Sequence, residues 1–190
     1  MRAFVLTQLS NLAGVISGST LFIAMPWLAL ELTGSSAQSA LVIAASSIPG
    51  LLLSPVMGSL IDAIGRRRVA WAAEAITVLT TIAFPVVAFF GAINLGTMML
   101  LAVLRNLIAP GGQSARKALL PDVAAKAGLG LDRANSIHEA VFSAGFSVGP
   151  AVGAFAIYLA GPYAAFWVAA LAGAAASAFA FFIRVVEKQE

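Results

Sequence analysis

Residue types that could carry out catalysis are scarce in this chain. It has one histidine and no cysteine, so zinc sites, disulfides and thiol nucleophiles are excluded as starting hypotheses. Residues 145–149 match the G-x-S-x-G pattern that presents a nucleophilic serine in hydrolases. That site requires a strand-to-helix turn and a downstream histidine, whereas His138 lies upstream and the pattern sits in an apolar stretch. We therefore expect no enzyme.

Charged residues inside apolar stretches are the remaining candidates. Arg105 lies about nine residues into its stretch, which places it roughly 13 Å deep in a membrane. An arginine there costs at least about 2.5–3.5 kcal/mol, so it normally faces a cavity or a partner. Glu74 and Glu139 lie nearer the ends of their stretches. Either acid could pair with Arg105 or carry a proton, or could only cap the membrane interface.

The composition indicates that these charges lie in a membrane. Hydrophobic residues make up 61% of the chain, charged residues only 10%, and the mean hydropathy is +0.96. A soluble domain usually carries about a quarter charged residues, so the solvent of this chain is expected to be largely lipid. Its basic residues lie in short segments between apolar stretches, which favours a lipid bilayer over a nucleic acid as partner.

Apolar stretches long enough to cross the hydrocarbon core occur six times. We predict an all-α membrane protein, a single bundle over residues 1–190, in which the segments 62–68 and 114–135 form cytoplasmic loops. The predicted spans are 4–30, 38–61, 69–90, 97–113, 136–159 and 163–183.

The distribution of basic residues predicts an orientation. With six spans, ten of the eleven lysines and arginines fall on one side, and none falls on the other. The eleventh, Arg105, lies inside a span. Basic loops stay in the cytoplasm, so we expect a multi-pass protein of the cell inner (plasma) membrane with both termini cytoplasmic. The ten residues are Arg2, Arg66, Arg67, Arg68, Arg116, Lys117, Lys126, Arg133, Arg184 and Lys188.

A signature follows the second span: Gly58-Ser-Leu-Ile-Asp62-Ala-Ile-Gly65-Arg66-Arg67. It resembles the loop G-x-x-x-D-x-x-G-R-[RK] of the major facilitator superfamily at every defined position. We expect Gly58 to permit close helix approach and Gly65 to allow a tight turn. The resemblance implies that Asp62 docks against a helix of a second transporter half.

The fifth span contains a second motif: Gly145-Phe-Ser-Val-Gly149-Pro150-Ala-Val-Gly153-Ala154. It is similar to G-x-x-x-G-P-x-x-G-G of antiporter-type members of that superfamily, with alanine at the last position. The three glycines lie four residues apart and form one stripe suited to tight helix packing. The resemblance implies efflux by proton exchange, while a general packing face remains open as the alternative.

Further segments resemble the macrolide-efflux and siderophore-exporter branch of the superfamily. The run Leu101-x-x-x-Arg105 resembles the start of the fourth-helix motif, whose arginine is linked to proton coupling. The segments 24–35, 47–55, 118–123 and 133–136 look like the same branch.

Members of this superfamily normally have twelve spans in two six-helix halves, with the substrate between them. The resemblance therefore implies an N-terminal half that exports small amphipathic, drug-like or siderophore-like molecules by alternating access. It implies a proton gradient as driving force, no bound cofactor, and a C-terminal six-helix half or a second copy as partner. A truncated product, a split transporter, a homodimer and a non-transporting scaffold or remnant remain open.

The predicted orientation can be tested with a reporter fused after Glu190. We expect the reporter to be active in the cytoplasm, because six spans return the chain to the side on which it began. A reporter active only outside the cell would contradict the predicted number of spans or their orientation.

Overall fold

Seven α-helices form the part of the chain that the computed structural model describes. That part is residues 1–184, with residues 49, 51–57 and 60 described by their backbone alone. Among these residues the chain forms helices and turns but no strand. The helices are α1 (Arg2–Thr33), α2 (Ser36–Ile64), α3 (Arg66–Phe89), α4 (Leu95–Ala118), α5 (Leu120–Ala127), α6 (Leu131–Ala160) and α7 (Pro162–Phe181).

The membrane-spanning character of these helices agrees with their length and composition. Five helical segments within the described residues are long and apolar enough to cross a membrane, with α4 and α5 together forming one of them. In α2 the described apolar segment is shorter, Ser36–Ile48. The prediction of an all-helical membrane protein is therefore confirmed, whereas the sixth span, assigned to α2, stays a prediction.

The two segments expected to be loops are mainly helical. In 62–68, Gly65 alone separates α2 from α3. Its backbone φ is 102°, a conformation that residues other than glycine rarely adopt. In 114–135, α4 continues to Ala118, α5 fills 120–127 and α6 begins at Leu131. The expectation failed because hydropathy reports where apolar side chains end, whereas a helical backbone can continue through polar residues into the interface.

Helix α1 is the centre of the bundle and packs against α2, α4, α5, α6 and α7. Its buried hydroxyl groups donate hydrogen bonds to backbone carbonyls of the neighbouring helices. Ser10 donates to the carbonyl of Ala176 (2.8 Å) and Ser17 to that of Ala169 (2.7 Å), both on α7. Such small polar residues bring membrane helices close together where the hydrophobic effect supplies no attraction between them.

The glycine stripe of α6 lies directly against α1. A Cβ atom added to Gly145 would lie 3.2 Å from the carbonyl oxygen of Leu12, and one added to Gly153 would lie 2.9 Å from that of Thr20. Thr20 in turn donates a hydrogen bond of 3.1 Å to the carbonyl of Gly149. The absent side chains therefore set the distance between the two helices.

Two apolar clusters occupy opposite ends of the bundle, with polar side chains of α1, α3 and α4 between them. One cluster joins the start of α1 and α3 to α5 and the end of α7, with Phe4, Val69, Leu120 and Val123 among its members. The other joins the end of α1 to the start of α4 and α7, and Phe84 and Phe166 pack there with ring centroids 4.8 Å apart.

Replacing Gly149 by alanine should weaken the α1–α6 contact. The added methyl group would overlap Ser19 Oγ and lie 2.9 Å from the carbonyl oxygen of Ile16, so the helices must separate. Such overpacking typically costs about 1–3 kcal/mol, and we expect a lower thermal unfolding temperature in detergent.

The matched control is Gly18→Ala in the middle of α1, where an added Cβ meets nothing within 4 Å. This change should leave stability equal or slightly higher, because alanine favours the helix more than glycine does. Equal unfolding temperatures for the two variants would contradict the packing role of Gly149.

Candidate functional site

Helices α3 and α4 carry polar and charged residues on the faces that they turn toward each other. On α3, Glu74, Thr77 and Thr81 follow helical spacing and are all buried. On α4, Arg105 and Arg116 are eleven residues apart, which is about three turns and therefore one face. The two helices pack together, so these faces form one buried polar layer.

A buried ion pair joins Glu74 to Arg116. Arg116 Nη1 donates to Glu74 Oε1, and the two side chains are 2% and 7% exposed for Arg116 and Glu74 respectively. Glycines make room for the pair, because a Cβ added to Gly14 of α1 or to Gly112 of α4 would lie 2.9 Å from Glu74 Oε1. The pairing compensates two charges that would otherwise be very costly inside the bundle.

Arg105 is held by polar neighbours and makes no salt bridge with a described carboxylate. It is 7% exposed, and its Nε donates to Thr81 Oγ1 at 3.2 Å. Its Nη1 lies 3.5 Å from Asn106 Oδ1, and Asn106 Nδ2 donates to the carbonyl of Ser46 on α2 at 3.2 Å. Arg105 therefore has polar neighbours but no directly bonded acid among the described residues.

A cavity of about 500 Å³ opens beside these charges, bounded by residues of α1, α2, α3, α4 and α6. Its wall combines the charged groups with amide side chains and with two phenylalanines that are one turn apart. In the described part of the chain, Thr77 Oγ1 and Arg116 Nε are buried in this wall without a hydrogen-bond partner. Lining residues that matter below are Glu74, Arg105, Asn106, Gln113, Arg116, Phe142 and Phe146.

A second buried polar contact links α1 to α6 near the basic end. Nδ1 of His138 lies 3.2 Å from Gln8 Oε1, and Asn11 Nδ2 donates to the carbonyl of His138 at 3.2 Å. His138 is only 3% exposed. The contact between α1 and α6 therefore encloses the imidazole.

Glu139, the other acidic candidate, does not reach the cavity. Its carboxylate accepts a hydrogen bond of 2.8 Å from Lys117, and both side chains are more than half exposed. Glu139 therefore lies on the outer side of α6, away from Arg105. Of the two acids considered, Glu74 alone lines the cavity.

The residues of the signature loop lie at the basic end of the bundle. Asp62 is exposed, and Arg66 forms a 3.1 Å ion pair with Asp122 of α5. The guanidinium carbon of Arg67 lies 5.9 Å from the ring centroid of Phe181 on α7. Gly58 is exposed and an added Cβ would meet nothing within 4 Å, so the expected close approach is not made there by the described residues.

The residues of the second motif, Gly145, Gly149, Pro150 and Gly153, do not line the cavity. Pro150 lies inside α6 without interrupting it, and the glycines form the contact with α1 described above. These glycines affect the cavity only through the distance between α1 and α6, because Phe142 and Phe146 of α6 line the cavity.

Sequence reasoning missed the partner of Glu74. Arg116 was placed in a cytoplasmic loop because it follows the last apolar residues of the fourth span. The spacing of the two arginines could have indicated this partner. If the helix continues past Arg105, Arg116 lies on the same face three turns later. Asn106 and Thr81 had no comparable signal, because uncharged polar residues are common in membrane helices.

The Glu74–Arg116 pair should show strong energetic coupling. Removing one charge leaves the other buried and uncompensated, which typically costs about 3–5 kcal/mol, so Glu74→Gln and Arg116→Gln should each be strongly destabilising. The double variant should be closer to the unmodified protein than the sum of the single changes predicts. Unfolding by detergent titration measures this cycle.

The exposed pair Lys117–Glu139 provides the comparison, because screening by water makes such pairs weak. The same cycle there should show little coupling. If the two cycles gave equal coupling, the ion pair inside the bundle would not have the structural importance inferred here.

Comparison with known proteins identifies relatives over most of the chain. The Major Facilitator Superfamily matches residues 9–190. The multidrug efflux pump Tap of Mycolicibacterium fortuitum is 38% identical over 161 residues, which are 83% of this chain and 39% of that protein. The Tap pump of Mycobacterium tuberculosis (strain H37Rv) is 38% identical over 153 residues, 79% of this chain and 36% of the pump.

This chain spans about two fifths of the length of these curated relatives. No solved structure matches it. The family match covers nearly the whole chain. The chain therefore belongs to the major facilitator superfamily.

Proposed function

We propose that this chain is one six-helix half of a proton-coupled exporter of small amphipathic molecules in the cell inner (plasma) membrane. It works with a C-terminal six-helix half or with a second copy, and both of its termini are cytoplasmic. Substrate leaves by alternating access, in which the two halves rock around a site near the middle of the membrane. The proton gradient supplies the driving force, and no cofactor is bound.

The cavity on the polar face of the bundle is the observation that carries this proposal. Its volume of about 500 Å³ falls within the range typical of small-molecule sites. Phe142 and Phe146 offer an apolar surface, while Arg105, Asn106 and Gln113 offer hydrogen-bonding groups. This combination suits a molecule with an aromatic or apolar body and a few polar substituents.

Glu74 is the group that we assign to the proton. Its carboxylate lines the cavity and is paired with Arg116. When the carboxylate takes up one proton it becomes neutral, and Arg116 loses its counter-charge. Releasing that proton on the cytoplasmic side restores the pair. The energy difference between the paired and unpaired arginine couples the proton to the conformation of the bundle.

Arg105 is assigned to the coupling step through its charge. It lines the same cavity as Glu74 without being bonded to it, and its hydrogen bonds to Thr81 and Asn106 leave guanidinium donors available. A positive charge at this position attracts the polar oxygen atoms of a substrate. Its role fits the general finding that ionisable residues inside membranes mark transport pathways.

The signature loop supplies the contact with the partner half. Asp62 is exposed at the end of α2, so its carboxylate can accept hydrogen bonds from an arginine or a helix N-terminus of the partner. Gly65 gives the abrupt turn that holds Arg66 and Arg67 at the start of α3. Loss of the Asp62 charge should therefore weaken the contact between the halves.

The relatives support the substrate class. Each of the matched pumps is named a multidrug efflux pump, and this chain aligns with the two fifths of their length described above. Cavities that bind chemically varied drugs need apolar surface and few directional groups. The cavity beside Arg105 has that character.

Accumulation of the amphipathic dye Hoechst 33342 in cells tests the proposal. The chain should be expressed alone and together with a C-terminal six-helix half of a related Tap pump. We expect at least one of these two expression formats to lower dye accumulation several-fold relative to cells without the chain. A protonophore should abolish that decrease. Glu74→Gln and Arg105→Gln should each restore accumulation, and Asp62→Asn should restore it in part.

Arg133→Gln is the matched control, because Arg133 is exposed at the start of α6 and lies outside the cavity. It should leave export unchanged. Equal accumulation with and without the chain, in both expression formats, would favour the alternative of a non-transporting scaffold. Export that persists in Glu74→Gln would reject Glu74 as the proton carrier.

A further inference from the structure

Buried polar atoms without a partner extend from the cavity toward the basic end of α1. Among the described residues, four such side-chain atoms are Gln8 Nε2, Asn11 Oδ1, Thr77 Oγ1 and Arg116 Nε. Each of these side chains belongs to a residue that is less than a tenth exposed. Buried polar groups are almost always satisfied by protein or by ordered water. We therefore expect these atoms to hold water molecules inside the bundle.

One series of contacts joins these atoms to the imidazole between α1 and α6. A Cβ atom on Gly14 would lie 2.7 Å from Arg116 Nη2, so the guanidinium of the buried ion pair lies against α1. Asn11 is one turn earlier on α1, and its Nδ2 donates to the carbonyl of His138. Gln8 is one turn earlier again, with Oε1 3.2 Å from Nδ1 of His138. Along α1, less than two turns separate the residue beside the ion pair from the residue beside the imidazole.

His138 is the group in this series whose ordinary chemistry includes proton exchange near neutral pH. Its Nδ1 faces Gln8, and its Nε2 makes no hydrogen bond with a described residue. The charged groups around the ring are Arg116 and Lys117 of α4 and Glu139 of α6. Glu139 is bonded to Lys117 on the outer side of α6, so the series of buried atoms leads to the imidazole and not to this carboxylate.

We propose that His138 is the proton relay between Glu74 and the cytoplasm, reached through water molecules along α1. The inference rests on the proposed function, in which Glu74 carries the proton. Asn11, Gln8 and the Arg116 guanidinium hold the waters through their unpartnered atoms. The Glu74 carboxyl group gives up its proton, which passes along these waters to Nε2 of His138. The remaining carboxylate pairs with Arg116 again, and the imidazolium gives the proton from Nε2 to cytoplasmic water.

A relay at this position separates the path of the proton from the path of the substrate. His138 does not line the cavity that contains Glu74 and Arg105. A substrate bound beside Arg105 therefore does not cover the imidazole. Exchange requires this separation on the cytoplasmic side, because the proton leaves there while the substrate enters.

Export into everted membrane vesicles tests the relay, because their outer medium contacts the cytoplasmic face. The vesicles contain the expression format that exports Hoechst 33342 and are energised by respiration. His138→Gln keeps a polar group beside Gln8 but removes the imidazole. We expect the initial rate to fall about tenfold or more, since groups that transfer protons typically contribute at least that much. Imidazole added to the medium should restore most of the rate, whereas the bulkier buffer HEPES should not.

A second measurement does not depend on transport. In phosphatidylcholine nanodiscs, labelling with ¹⁵N-histidine gives one imidazole signal, because His138 is the only histidine in the sequence. Magnetisation transfer from water to this imidazole should fall several-fold in Asn11→Leu, which replaces the amide by an apolar group of similar size. Thr7→Val is the matched control, because the buried Thr7 hydroxyl donates within α1, to the carbonyl of Ala3. It should leave the transfer unchanged.

Glu139→Gln is the control for the export measurement. It removes an ionisable group next to His138 in sequence that is more than half exposed, and it should leave the rate unchanged. Equal slowing in the two variants would overturn the relay, because it would show a general effect of charge. Slow export in His138→Gln that imidazole does not restore would overturn it too, because it would show a structural role.

Two further results separate the relay from the proposed function. Export at the unmodified rate in His138→Gln, or equal water transfer in Asn11→Leu and the unmodified chain, would overturn the relay and leave the proposed function standing. Absence of protonophore-sensitive export by the unmodified chain would instead overturn the proposed function, and the relay with it.

Discussion

Close packing of α1 against α6 and α7 is the interaction on which the rest of this structure depends. Lipid tails are as apolar as leucine, so helices in a membrane gain little from hiding apolar side chains in each other. Here the attraction comes from short distances and from hydroxyl groups that donate to backbone carbonyls across the contact. Glycines on α6 permit the short distance to α1, and serines and threonines on α1 donate hydrogen bonds across such contacts.

The same use of small residues makes the buried charges possible. Gly14 on α1 and Gly112 on α4 leave the space in which Glu74 and Arg116 meet. A larger residue at either place would push the carboxylate away from its guanidinium partner and leave both charges uncompensated. Small residues therefore have two effects in this bundle. They allow other helices to pack closely against α1, and they leave open space beside α4.

The bundle has three surfaces with different chemistry. The polar face carries the cavity and the charges assigned to transport, and the basic end carries the exposed Asp62. The outer face of α3 and α7 is apolar, with arginines at one end only. The proposed substrate site and the proposed contact with a partner half thus occupy separate places, and each can be altered without changing the residues of the other.

Much of this could be read from the sequence. Apolar stretches predicted the helices, and the cost of an arginine in lipid predicted that Arg105 has polar neighbours. The spacing of Gly145, Gly149 and Gly153 predicted one stripe suited to tight packing, and the structure places that stripe against α1. These inferences could be made from the sequence because each depends on one helix and its solvent, which local sequence describes.

The sequence by itself determined which residues are costly in lipid, and the tertiary structure alone decided which of them meet. Glu74 and Glu139 were both considered as partners of Arg105, with interfacial capping left open. Glu74 pairs with Arg116, a residue assigned to a loop, while Glu139 turns outward to Lys117. Hydropathy shows where apolar side chains end, but it does not show where a helix ends or how far it is rotated. Pairing across helices depends on that rotation and on the register of one helix against another, and the contacts of α1 set both.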